Sequence, residues 1–142
     1  MTPLLLDSSV AVRAVLEKSL STKTRRLLAS SSVLMASRLA LVESARAILR
    51  AKIEGRISEP GLTRAESDLR DLWTRCEVWE ISRSICSEAT EIAPTSALRT
   101  LDAIHLATFL AARRKLPSIR LLVSDARMLE VARTLGFRVL EA

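Results

Sequence analysis

Four acidic residues stand where a folded chain has difficulty keeping a bare negative charge. Asp7 ends the apolar run Leu4-Leu5-Leu6, and Asp125 follows Leu121-Leu122-Val123 and Ser124. Asp102 opens the segment Thr100-Leu101-Asp102-Ala103-Ile104-His105-Leu106-Ala107-Thr108-Phe109. At 3.6 residues per turn its apolar side chains cover nearly the whole circumference, the pattern of a buried helix. Glu43 shares one side of a long helical stretch with Leu39, Ala40 and Ala47. A carboxylate in apolar surroundings must be protonated, paired or bound to a metal. Several gathered together repel one another and shift their pKa values upward unless a counter-charge sits among them. A hard divalent cation supplies that charge, and an oxygen-only donor set selects magnesium or manganese over zinc.

Each acid also has an ordinary explanation. Asp7 and Asp125 could simply cap the helices that follow them. Asp102 gains from the helix dipole behind Thr100, which would be the N-cap. Glu43 could pair with Arg46, three residues on, to little energetic effect. His105, the only histidine, lies three residues after Asp102, a spacing used in carboxylate-bridged metal sites. On a helix apolar all round it reads instead as a buried structural residue. Ser–His–Asp chemistry would have to use that histidine and is set aside. A haloacid-dehalogenase-like enzyme would need a second aspartate where Ser9 stands. Three glycines are too few for a phosphate-cradling loop.

The elements that must position these acids follow from punctuation and periodicity. Leu4–Leu6 reads as a strand feeding a helix from Val10 to Leu16, and Ser21–Ser30 as a second helix. Val33–Ala36 is a strand, and Ser37 caps a helix from Arg38 to about Glu54, closed by Gly55. Gly55–Gly61, with Pro60, reads as a turn. Leu62, Ala65, Leu69, Leu72, Trp73 and Cys76 then form one apolar stripe, making Arg38–Cys76 an antiparallel helical hairpin. Val78–Ile81 is a strand, Ser82 caps a helix to Ile92, and the Asp102 helix begins near Leu101 and closes with Arg113-Arg114-Lys115 before Pro117. Arg120–Val123, a helix Ala126–Leu135 ended by Gly136, and a strand Phe137–Leu140 complete the chain. Alternating strands and helices predict an α/β domain with a mostly parallel sheet, whose strand ends gather on one ligand-binding edge. Asp7 and Asp125 belong on that edge; Asp102 opens the buried helix that feeds the strand before Asp125, and Glu43 lies in the second turn of the helix after the second strand.

A length of 142 residues suits one domain over 1–142. Apolar content of 49% with 27% charge reads as soluble and globular, and no apolar run approaches a membrane span. The start lacks the basic region of a signal peptide, and Cys76 and Cys86 fit neither metal nor disulfide spacing, so a cytoplasmic protein with reduced thiols is expected. The net charge is +6, and 18 of the 22 basic residues are arginine, which suits a polyanionic partner. With aromatics at 3%, base stacking on an exposed platform is not expected.

Together, Leu4-Leu5-Leu6-Asp7-Ser8-Ser9-Val10, Glu43, Leu101-Asp102-Ala103-Ile104-His105-Leu106-Ala107-Thr108 and Leu122-Val123-Ser124-Asp125 resemble the PIN domain, and more closely its VapC-type toxins of type II toxin–antitoxin systems. The resemblance implies a three-layer α/β/α sandwich with a protruding helical hairpin. It implies a Mg2+- or Mn2+-dependent endoribonuclease, with Asp7 and Asp102 as main metal ligands and catalytic groups. Asp125 and Glu43 would complete the acidic pocket, and Ser9 would support Asp7. It also implies a homodimer and a VapB-like antitoxin whose C-terminal segment covers the site, with DNA contacted only through that antitoxin and no membrane partner. The Trp73 stripe reads as core or a partner interface, and the Arg38–Cys76 hairpin that carries it is the candidate for part of the antitoxin or dimer surface. A PIN nuclease of RNA processing and a catalytically silent PIN-like binding module are the alternatives.

Overall fold

The computed structural model describes residues 1–142. Five strands, β1 (Leu4–Leu6), β2 (Leu34–Ser37), β3 (Cys76–Trp79), β4 (Arg120–Val123) and β5 (Val139–Glu141), form one sheet in the order β3-β2-β1-β4-β5. All four pairings are parallel, so the sheet is parallel throughout rather than mostly so. Seven helices connect them: α1 (Ser8–Val12), α2 (Thr22–Ser30), α3 (Arg38–Ile53), α4 (Glu59–Thr74), α5 (Arg83–Glu91), α6 (Thr100–Lys115) and α7 (Ala126–Thr134). A π-helical turn, Arg13–Glu17, continues α1.

The apolar run of β1 is needed because both faces of the sheet are covered. Leu4 and Leu6 point to one face, where Val10, Ala40, Ile48, Ala65, Leu69 and Trp73 meet them. Leu5 points to the other, with Leu106, Phe109, Ala112, Met128 and Ala132. The result is the expected three-layer sandwich, α1–α4 on one side and α6–α7 on the other. Strand order reverses at β1: β2 and β3 lie to one side, β4 and β5 to the other. Register pairs Leu6 with Leu122, and Asp7 N–H donates to the Leu122 carbonyl at 3.1 Å. The carboxyl ends of β1 and β4 therefore open the crevice in which such sheets bind ligands.

Several boundaries differ from the sequence expectation. Helix α4 begins at Glu59, because Ser58 Oγ accepts from Gly61 N–H and Pro60 falls in the first turn, where a missing N–H costs little. Arg99, not Thr100, occupies the N-cap position of α6, and Thr100 is its first helical residue. Strands β2 and β3 are displaced by one or two residues from the expected spans. The Trp73 stripe is not a docking surface: Ala65, Leu69 and Trp73 are buried in the chain's own core against β1 and β2. Gly55 and Gly136, both at φ 72, end α3 and α7 as expected. Each sits in a Schellman closure, Arg56 N–H bonding Ala51 O and Phe137 N–H bonding Ala132 O. Both cysteines are free, and burial pushes the Cys76 thiol up to about 11. No helix is long and apolar enough to cross a membrane.

Candidate active site

Asp7, Glu43, Asp102 and Asp125 all line one cleft of about 800 Å³. Four elements deliver them. Asp7 leaves β1 in extended conformation and N-caps α1, its Oδ2 accepting from Ser9 N–H at 3.1 Å and from the Ser9 hydroxyl. Asp125 likewise caps α7, accepting from Met128 N–H at 2.9 Å. Both aspartates are thus helix caps and also parts of the cleft, so the ordinary explanation and the functional one are compatible. Asp102 sits in the first turn of α6, and Glu43 in the second turn of α3.

A polar relay spans the reversal of strand order. Ser124 N–H donates to Ser9 Oγ at 3.0 Å, and that hydroxyl donates to Asp7. Arg13, in the π-helical turn, donates to Ser124 Oγ at 2.7 Å and to the Ala142 carbonyl at 2.8 Å. This chain of bonds fixes the end of β4 against the end of β1 and holds the Asp7 carboxylate in one orientation.

Two groups that sequence reasoning missed bind these acids. His105, 1% exposed, hydrogen-bonds the Glu43 carboxylate through Nε2, and the same nitrogen lies 3.8 Å from Asp7 Oδ1. With a carboxylate as acceptor, Nε2 carries the proton. Burial opposes charging of this imidazole, but Glu43, Asp7 and Asp102 outweigh it and raise its pKa. His105 is therefore buried, as expected, yet it belongs to the site. At the mouth, Arg99 Nε donates to Asp102 Oδ2 at 2.9 Å. Glu43 does not make the expected pair with Arg46; the only carboxylate partner of Arg99 is Asp102. No pattern along the chain reveals the Glu43–His105 bond, whose partners are 62 residues apart. The i,i+3 spacing of Arg99 and Asp102 was a visible signal.

Asp7, 3% exposed, has its pKa raised chiefly by burial. His105 and the Ser9 bonds pull it back, and the charge of Glu43 adds a smaller upward push. Desolvation, not mutual repulsion, is thus the leading cause at this carboxyl. Asp7 Oδ1 is buried with no hydrogen-bond partner. An orphaned oxygen on a carboxylate that lines an acidic cleft fits a hard cation. As the side chains are placed, however, no three of His, Cys, Asp and Glu form a ready metal cage. The reason is visible in the bonds: each acid is tied to its own protein partner. Arg13, Arg46, Arg50 and Arg99 stand around the same cleft, giving an acidic floor with a basic collar.

A five-stranded parallel sheet with an acidic crevice at its strand reversal defines an α/β protein with a candidate cation site. The chain matches the PIN domain family over residues 4–134 and belongs to it. It is 33% identical over 130 residues to Ribonuclease VapC45 of Mycobacterium tuberculosis (strain CDC 1551 / Oshkosh), covering 88% of this chain and 89% of that one. It is also 33% identical over 140 residues to Ribonuclease VapC46 of Mycobacterium tuberculosis (strain ATCC 25618 / H37Rv), covering 99% and 98%. Its fold is similar to that of VapBC2 from Rickettsia felis, crystallised bound to a DNA fragment from their promoter: TM-score 0.70, 13% identity, 99% and 98% of the two chains covered.

Proposed function

We propose that this protein is an endoribonuclease of the VapC type, the toxin of a toxin–antitoxin pair, cleaving RNA phosphodiesters with Mg2+ or Mn2+. The observation that carries the reading is the convergence of Asp7, Glu43, Asp102 and Asp125 on one cleft in a PIN-domain chain whose relatives are named ribonucleases. Asp7 and Asp102 would hold the cation, with Asp125 and Glu43 completing the acidic set. When bound, the cation lowers the pKa of water and neutralises charge gathering on a phosphoryl oxygen.

The chain's own residues do the rest. Ser9 and the Ser124 amide fix the Asp7 carboxylate through Oδ2 and leave Oδ1 without a hydrogen-bond partner. His105 holds Glu43 in place from below. The arginine collar binds the RNA backbone and draws it across the acids; neutralising four carboxylates would raise the formal charge from +6 to +10. A VapB-like antitoxin would silence the enzyme by laying a peptide over this cleft, where Val42 and Leu101 are exposed apolar side chains beside Arg46 and Arg99. A homodimer and a cytoplasmic location belong to the same proposal.

Mapping RNA 5′ ends in cells after induction tests it. Wild type should create new discrete ends that Asp7→Asn does not. Identical ends from a folded Asp7→Asn protein would refute the assignment.

A further inference from the structure

Arg99 is poorly explained by the helix it precedes. The N-cap position normally carries a side-chain acceptor for the first-turn N–H groups, and Arg99 makes no such bond. A guanidinium also faces the unfavourable, positive end of the helix dipole. What holds it is Asp102, through the 2.9 Å bond to Oδ2. Asp125 and Glu43, across the cleft, add to the field at its head. The two partners differ sharply in freedom: the Arg99 side chain is 61% exposed, and that of Asp102 is 10% exposed. The aspartate is largely buried, and the guanidinium lies mostly in solvent.

The other cleft arginines are placed differently. Arg13 is locked onto Ser124 and the Ala142 carbonyl. Arg46 and Arg50 line the cleft without any carboxylate partner. Arg99 alone occupies an acid that the nuclease reading assigns to the cation.

Resting on that reading, we propose that Arg99 is the site's own removable counter-cation. Its guanidinium neutralises Asp102 in the metal-free protein, yields Oδ2 when a divalent ion binds, and then takes a phosphate of the RNA strand at the rim. A planar guanidinium serves both roles, since its paired N–H groups match carboxylate and phosphate alike. Part of the proposed ligand set is thus covered by a side chain that the ion would displace.

The test compares wild type with Arg99→Gln, Arg99→Lys and Arg46→Gln. Calorimetric titration with Mn2+ reads the first role, and steady-state cleavage of a labelled oligoribonucleotide reads the second. Arg99→Gln should bind Mn2+ roughly two- to fivefold more tightly, the scale of an exposed pair's coupling. Arg46→Gln should change Mn2+ affinity less, and Arg99→Lys should stay near wild type. KM for RNA should rise about fivefold in Arg99→Gln with kcat little changed, as expected for loss of a uniform binding contact. A merely structural loss would not tighten metal binding. If Arg99→Gln binds Mn2+ no more tightly than wild type, or no more tightly than Arg46→Gln, the counter-cation role is overturned. An unchanged KM overturns the phosphate role. Those results with an active, Mn2+-binding wild type leave the nuclease reading standing; a wild type that neither binds Mn2+ nor cleaves RNA overturns both.

Discussion

Replacing His105 by leucine removes the imidazole beneath two carboxylates while nearly preserving side-chain volume. In the metal-free protein Glu43 then loses its hydrogen-bond donor, and Asp7 keeps an unpartnered Oδ1 with no imidazole 3.8 Å away. Breaking a fully buried pair by deleting one member costs about 3–5 kcal/mol. Here the Glu43 side chain is 24% exposed, so water recovers part of the loss and about 2–3 kcal/mol is expected. For a chain of this size that lowers Tm by roughly 6–12 °C. Thermal melting followed by circular dichroism in chelator measures it. Saturating Mg2+ should then recover more stability in His105→Leu than in wild type, because the ion supplies the partner that the imidazole gave the carboxylates. A Tm within about 2 °C of wild type in chelator, or equal gains from Mg2+, would show that His105 is only a core residue.

Acid pH should stabilise the metal-free protein. His105 has a raised pKa, so its contribution is complete below the ordinary value of 6.5 and is lost as pH rises through the folded value. Asp7 is also raised: its protonated form is favoured by folding, a contribution complete below 3.8 and lost on the way up through its own folded value. Tm in chelator should therefore be higher near pH 6 than near pH 8.5, and the reverse order would contradict the His105 assignment. Phe109, fully buried and 5.1 Å from the Phe137 ring, anchors α6 on the second face of the sheet. Phe109→Ala should cost about 3–5 kcal/mol in urea unfolding, and a cost below about 1 kcal/mol would place α6 outside the core.

The framework was legible because its signals are local. Ser37, Ser82 and Asp125 cap the helices that follow them, and Gly55 and Gly136 end theirs, as their positions between apolar runs implied. Where two local signals compete, the outcome depends on packing. Pro60 reads as a breaker or as a first-turn residue, and the Ser58 cap decides for the second. The Trp73 stripe reads as core or interface, and its burial against β1 decides for core. The four acids were found because strand–helix junctions gather on one edge of a parallel sheet. Their partners were not, since the Glu43–His105 bond joins α3 to α6 across the sheet's edge and leaves no trace in either helix's periodicity. Glu43 beside Arg46 satisfied a local rule, and the tertiary contact overrode it. Arg99 was hidden differently: Thr100 looked like the better cap, which drew attention from the residue before it.

The central claim is that the acids of this cleft work together on RNA through a divalent cation. Its most direct measurement is cleavage of RNA by the purified protein with Mg2+ or Mn2+, with chelator, and in Asp7→Asn and Asp102→Asn. Turnover should vanish in chelator and return with added metal, and each variant should lose at least about 100-fold while staying folded. Turnover that persists in chelator, or a folded variant that cleaves like wild type, would contradict the account.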